Sequence, residues 1–479
     1  MKVLLIQPPL LYYTKIIKSP NIGLASIAAV LEGAGIDVAV IDANAEGISL
    51  DKIIGKIKEI KPDVVGSGGQ TPISHLSLEI FKKTKNEVSK DIVTLAGGHH
   101  FSFTDEESLQ KCPELDIVVR GEAEYTMREL CSHLDQGKSL NDIKGISYKD
   151  AKGSIIKNTA RESIADIDTL PFPAWHLFPV EKYHDKGRKM LAVTTARGCI
   201  YKCPHCISWK IHKGVRLKSP KRIVDEMIYV KEHFGHDTFF FHDDQSFSYR
   251  EQLEGFLNEL ERRNNALFWS YETREEAFYD YRDLWGRMKD HGLFRIYFGV
   301  ETIDAEGRKF YTRSKYDKER FEEMLDYLEH KLDIIVGLYF IMGYPAETEE
   351  NIRRSLQYSK YLYPGLCSLV LCSLLVPFPG TELYLEMKKK NLILTEDWKY
   401  YGSVTPVIKT TVSPKKLQKL YYSFWKNNYG RLTVIARQLI NLFSKNRFRR
   451  YMGKGFFYTT TEIMKTKNIS NSGNKFFIK

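Results

Sequence analysis

Cys199, Cys203 and Cys206 fall within the stretch TARGCIYKCPHCISWK, directly after the apolar run Leu191, Ala192, Val193. The order implies a strand that ends in a loop: Gly198 stands before the first cysteine, and Pro204 keeps the segment out of a helix. Three thiolates on such a loop can hold three irons of a four-iron cluster and leave the fourth iron open. Closed zinc or cluster sites take four protein ligands, yet this loop carries no fourth cysteine, and the next ones are Cys367 and Cys372. Zinc would call for paired C-x2-C knuckles or added histidines, for which His205 and His212 stand nearby. Three inert, buried thiols are the plainest alternative.

At 479 residues the chain is too long for one ordinary domain. Its 43% hydrophobic and 27% charged residues are those of a soluble globular protein. The opening MKVLLIQPP holds a short apolar strand without a long apolar region or cleavage site, and no stretch is long and apolar enough to span a bilayer. Seven cysteines, three of them clustered, make no disulfide framework and fit a reducing cytoplasm. The net charge of +11 is concentrated at one end: from residue 413 onward, fifteen Lys and Arg face the single acid Glu462.

Residues 1–150 alternate strand and helix patterns, with strands at Val3–Ile6, Val38–Ile41, Val64–Ser67, Ile92–Ala96 and Ile117–Val119. Such alternation predicts a parallel, Rossmann-like sheet with helices on both faces and ligands at the carboxyl ends of its strands. The loops expected there are GSGGQTP, AGGHHF and RGEAE, whose glycines would let backbone approach a bulky ligand. None is a G-x-G-x-x-G fingerprint, so a dinucleotide is not favoured. Residues 151–190, with LPFPAW at their centre, are dense in Pro and aromatics and predict an extended strap between domains.

Residues 191–404 hold six apolar segments separated by helical patterns, which predicts a partial, TIM-type (β/α)6 barrel with its chemistry at the strand C-termini. FHDDQSF, Glu272 to Arg274, GVET, MGYPAETEE and VPFPGTELY fall at those ends. Asp243 and Asp244 read as acceptors for a cationic ligand or its ribose, as metal ligands, or as a solvated turn. Residues 405–479 form a mainly helical basic extension. Leu432, Ile435, Leu439 and Leu442 recur there at helical spacing among arginines and lysines. Its plainer reading is a helix that docks its apolar side and exposes its cations. The sharper reading is a peripheral contact with an acidic membrane or a lipid-like substrate. Nucleic acid is disfavoured, because no binding module accompanies the charge.

At C-x3-C-x2-C the chain resembles the radical S-adenosylmethionine enzymes. Through IQPP, GLASIAAVLE, GGHH, VVRGEAE and LPFPAW it resembles the class of them fused to a cobalamin-binding domain. The resemblance implies a [4Fe-4S] cluster on Cys199, Cys203 and Cys206, S-adenosylmethionine at its open iron near Asp243, Arg274, Glu301 and Gly343, and a 5'-deoxyadenosyl radical made by cleavage of that ligand. It also implies a cobalamin touched by Ser67, Gly68, Gln70, Gly97, Gly98, His99, Gly121 and Glu122. The chain lacks the D-x-H-x-x-G that would give cobalt a histidine, and no catalytic residue is assigned. Phe378 and Thr381 are placed on a loop facing substrate. The implied activity is methylation of an unactivated carbon of a small-molecule, lipid or peptide substrate, with a flavodoxin- or ferredoxin-type electron donor. Ring formation of the oxidative cyclase type is the alternative within the class, and a non-catalytic cobalamin or redox sensor is the alternative outside it. The implied location is the cytoplasm, with the tail on a membrane periphery as the variant reading.

Overall fold

In this computed structural model, which describes residues 1–9, 17–18, 20–185, 188–313 and 316–456, the chain forms two α/β units, each built on its own sheet. The first is a seven-stranded sheet of β1 (Lys2–Gln7), β2 (Asp37–Asp42), β3 (Val64–Gly68), β4 (Val93–Gly97), β5 (Ile117–Val119), β6 (Ile146–Lys149) and β7 (Ile155–Lys157). Its order is β2-β1-β3-β4-β5-β6-β7. The first five strands are parallel, and β6 and β7 add antiparallel. That last hairpin was not legible in the alternating pattern; its turn is made by Asp150 to Ser154, with Gly153 at φ +80°.

Alternation along β1 sets the two layers. Val3 and Leu5 pack under α1 (Ile22–Gly33), whereas Leu4 and Ile6 pack on α2 (Leu50–Ile60) and α3 (Ser74–Glu87). The chain crosses the sheet between β1 and β3, the switch point where such sheets open a crevice at their carboxyl ends. The strap then runs to the second unit. Ala174 N donates to Ala25 O, the Tyr183 hydroxyl donates to Asp42, and fully buried Trp175 joins Ala25 to the core of the second unit.

The second unit is a six-stranded, all-parallel sheet in sequence order: β8 (Leu191–Val193), β9 (Thr238–Phe241), β10 (Phe268–Thr273), β11 (Leu293–Glu301), β12 (Ile335–Met342) and β13 (Leu369–Leu374). These are the six strands expected of a partial barrel. Residues such as Phe239, Trp269, Phe298, Leu338 and Val370 point outward into one aromatic and aliphatic core beneath the helices. Their neighbours point inward. At the N-terminal mouth the inward set is apolar, and Phe448 stacks on Phe294 with centroids 3.9 Å apart, joined by Met190, Ile335 and Met452. The C-terminal extension therefore forms the barrel floor.

That extension consists of α4 (Pro414–Tyr429), α5 (Leu432–Leu442) and a last helical segment from Arg447. The expected apolar stripe of α5 is split: Ile435 packs against the core and Leu442 is half-buried. Val434, Gln438 and Asn441 face inward, while Leu432 and Leu439 are exposed. Arg449, expected to be displayed, is buried against Glu329, Asp333 and Ser368. The polar groups at the strand N-termini supply partners that an apolar helix face could not satisfy. The basic residues beyond 456 lie outside the described residues.

Candidate functional site

The cysteine loop is built by its ends. Ala196 and Arg197 pair antiparallel with Leu217 and Arg216, closing residues 198–215 into a loop at the carboxyl end of β8. Gly198 sits at φ +92°, and a Cβ there would lie 2.1 Å from the Gly214 carbonyl oxygen, so only glycine closes this neck. Asp243, at the end of β9, accepts from Thr195 N (2.7 Å), Thr195 Oγ1 (2.6 Å), Ala196 N (3.2 Å) and Ser246 Oγ (2.7 Å). Asp244 accepts from Gly198 N at 3.0 Å. The two acids thus hold the loop to the neighbouring strand.

Arg274, at the end of β10, donates through Nη2 to Cys203 Sγ at 2.7 Å and through Nη1 to Thr312 O at 2.8 Å, and its guanidinium lies 3.6 Å from the Tyr201 ring centroid. Thr312 Oγ1 is 3.5 Å from the same sulfur. Burial pushes the Cys199 thiol up to about 11 and raises that of Cys206. Among the described residues no three His, Cys, Asp or Glu side chains converge on a single ion position. A mononuclear zinc requires that convergence; a cubane does not, because each thiolate takes a different iron. The donor set, three thiols on one loop with N–H and O–H donors aimed at a sulfur, fits the cluster.

The remaining rim residues follow in order. Glu301 ends β11 at φ +60°, beside a bulge, with Arg313 Nη2 at 2.8 Å from its Oε1. Left-handed backbone at a non-glycine residue is the kind of strain that functional rims store. Gly343 ends β12 at φ +92° and donates N–H to Glu347 at 2.5 Å. Burial pushes Glu347 up to about 8. Asp243, Arg274, Glu301 and Gly343 therefore share one rim with the cysteines, although the hydrogen-bonding capacity of Asp243 is turned to the loop. Thr381 differs from expectation: it is fully buried and caps the following helix, accepting from Tyr384 N at 3.1 Å, because a tight turn before a helix calls for such a cap.

Facing this rim are the carboxyl ends of β3, β4 and β5. Gly68 and Gly98 serve packing between their own loops: a Cβ on Gly68 would meet Gly97 O at 2.1 Å, and one on Gly98 would meet Gly69 N at 3.0 Å. Ser67 is buried and donates to Ile6 O, whereas Gly121 opens onto free space and Gln70, Gly98 and His99 are exposed. His99 is exposed, yet the protein around it disfavours its charged form and lowers its pKa. His212, Asp244 and His242 of the barrel rim act electrostatically on the same ring.

Glu122 clamps the two units. It accepts from His212 Nδ1 (3.1 Å), Arg216 Nη1 (2.8 Å) and Ile164 N (2.7 Å), with Arg197 at 3.5 Å. Burial opposes its ionisation, but these donors outweigh burial and hold its carboxyl far below the usual range. Glu124 binds Arg197 and accepts from Ser26 Oγ at 2.9 Å. No motif signalled this clamp, because its partners Arg197, His212 and Arg216 lie more than seventy residues away in sequence.

Inside the barrel, one layer above the apolar floor, lie Arg295 and Tyr297, and above them His242, Glu272 and Tyr339. The Tyr339 hydroxyl donates to Glu272 Oε1 at 2.7 Å, and its ring stacks on Tyr297 at 5.4 Å. Gly337 makes this possible, since a Cβ there would lie 2.2 Å from Tyr297 Cδ1. Glu272 and His242 keep solvent-open surface although they are set within the barrel, so they line its lumen. Burial raises the Glu272 carboxyl. Period-two alternation on these strands was the available signal, and sequence reasoning did not use it.

The geometry agrees with two family profiles. Residues 18–131 match the B12 binding domain, and residues 193–358 match the radical SAM superfamily. The chain is a radical S-adenosylmethionine enzyme with a B12-binding domain. Its cofactors are the [4Fe-4S] cluster, S-adenosylmethionine and cobalamin that these two domains carry. The enzyme is 29% identical over 434 residues to an uncharacterised methyltransferase of Pyrococcus horikoshii, a match covering 89% of this chain and 92% of that one. It is also 29% identical over 399 residues to the anaerobic magnesium-protoporphyrin IX monomethyl ester cyclase of Rubrivivax gelatinosus, covering 81% and 70%. In fold it is similar to the cobalamin-dependent S-adenosylmethionine radical enzyme OxsB, with a TM-score of 0.71 at 19% identity over 96% of this chain and 71% of that one. It is likewise similar to the methyltransferase TsrM of Kitasatospora setae, at 0.65 and 18% over 88% and 81%.

Proposed function

We propose that the enzyme methylates an unactivated carbon of a small-molecule or lipid-like substrate held in the barrel lumen. The observation that carries this reading is the juxtaposition of three features: the glycine-lined edge of the B12-binding sheet, the cysteine loop clamped to it through Glu122, and the polar lumen. When bound, the cluster with S-adenosylmethionine supplies a carbon radical able to remove an inert hydrogen, and cobalamin supplies a methyl donor that needs no lone pair on the acceptor.

The chain's own residues position and shield. Asp243, Asp244 and Arg274 are positioning residues that fix the cysteine loop. Glu301 and Gly343, on the rim beside it, are the groups we assign to S-adenosylmethionine contact. Gln70, Gly97, Gly98, His99 and Gly121 present an open edge for the corrin, while Ser67, Gly68 and Glu122 hold the loops that shape it. Glu272, Tyr339 and His242 would hold the polar part of a substrate, and the apolar floor excludes water from below. A low-potential electron donor of flavodoxin or ferredoxin type completes the reaction.

The 29% identity to the cyclase supports one second reading, ring formation on a similar substrate. Anaerobically reconstituted enzyme, given methyl-labelled S-adenosylmethionine, a reductant and a pool of candidate substrates, separates the two. Label in a product supports methylation. Deoxyadenosine with an unlabelled, altered product supports ring chemistry, and neither product with an intact cluster overturns both.

A further inference from the structure

Helix α5 turns much of its apolar surface outward. Its outward face carries Leu432 (83% exposed), Leu439 (46%), Ile440 (67%) and Phe443 (85%), spaced so that all four lie on one side. Its inward face is mixed: Val434 is fully buried in the core, and polar groups stand beside it. Gln438 donates to the Tyr363 hydroxyl at 3.4 Å, Asn441 donates to Gln438 Oε1 at 3.0 Å, and Arg437 lies 3.5 Å from Glu329. Ordinary amphipathic packing buries its large apolar side chains instead. Four large apolar side chains side by side on an open face mark an interaction surface.

The charge around that face indicates what it meets. From Arg431 to Phe456 the chain has seven Lys and Arg and no acid. Lys445 and Lys454 are exposed. The next helical segment crosses α5 closely, since a Cβ on Gly453 would lie 2.8 Å from Gln438 O. With the barrel floor this segment forms a cavity of about 590 Å³ lined by Arg188, Lys189, Arg447, Arg450 and Lys454, with Asp237 as the one acid. Asp237 is engaged by Arg188 at 3.4 Å and Arg447 at 3.3 Å. An apolar stripe and a cationic cavity on consecutive helical segments complement the acyl boundary and anionic headgroups of one partner.

We propose that α5 and the segment after it dock the enzyme on an anionic lipid surface: Leu432, Leu439, Ile440 and Phe443 enter the interface, and the cationic cavity receives lipid phosphate. No helix among the described residues is long and apolar enough to cross a membrane, so the contact is peripheral. It does not depend on which reaction the lumen performs.

Flotation of the full-length holoenzyme tests it. Mixed phosphatidylglycerol–phosphatidylcholine vesicles should carry the protein, pure phosphatidylcholine should not, and added salt should weaken binding. The double variant Ile440→Glu/Phe443→Glu should lower binding about tenfold or more. Lys445→Gln/Lys454→Gln should weaken it and flatten its salt dependence. Both pairs are exposed, and iron content and elution volume should be those of the parent. Absence of flotation with anionic vesicles overturns the proposal. So does a full-length dimer that Ile440→Glu/Phe443→Glu converts to monomer without change in vesicle binding, because the stripe would then join two copies.

Discussion

At the scale of single residues, the neck of the cysteine loop is the most exacting position. Gly198→Ala adds a methyl group where 2.1 Å is available and demands a left-handed backbone from an L side chain. Iron and sulfide per chain, assayed after anaerobic reconstitution, should fall to a small fraction of the parent, while circular dichroism stays near parental. Glu347 offers a second test. Its carboxyl is pushed to about 8 in the fold against 4.5 when free, so the unfolded chain releases that proton first. Stability should decline as pH rises from about 4.5 to about 8 and then level, a loss of a few kcal/mol from this group. Glu347→Gln keeps an acceptor for Gly343 N–H and removes the decline, which thermal unfolding across that range would read. The three thiols were legible in the sequence because spacing alone defines them. The roles of Asp243 and Arg274 were not: residue type shows an acceptor or a cation, whereas its partners, Thr195 and Cys203, are set by the folded rim.

At the scale of elements, the Glu122 clamp joins the end of β5 to both strands of the loop neck. Removing one partner of a buried, multiply bonded ion leaves the others uncompensated, at a cost of about 3 kcal/mol. Glu122→Gln should therefore lower the unfolding midpoint. It should also speed proteolysis within 151–190 if the strap opens with the clamp; an unchanged cleavage rate would mean that Trp175 and Tyr183 hold the two units by themselves. The parallel strands of both sheets were readable from apolar runs. The β6–β7 hairpin was missed because two short strands after a long alternation look like its continuation. Helix α5 misled for a different reason. Its leucine spacing is a true amphipathic signal, but period gives the existence of an apolar face and not the side to which the fold turns it.

At the scale of the whole molecule, the two units meet at the Glu122 clamp, with the barrel lumen beyond it. If the lumen holds substrate through Glu272 and Tyr339, Tyr339→Phe removes a hydroxyl donated to the lumen carboxylate at 2.7 Å. The expected result is a KM raised about tenfold with kcat little changed, since the contact is made equally in the ground and transition states. A fall in kcat alone would move the pair from holding substrate to the chemistry. At the opposite end Phe448, Phe294, Met190, Ile335 and Met452 seal the strands. A lumen stoppered at its floor would be loaded and emptied from the rim, or along the seam between β8 and β13, the two edge strands of the open sheet. If the proposed reaction runs in that lumen, a product lingering at the rim would stand in the way of the next round of loading.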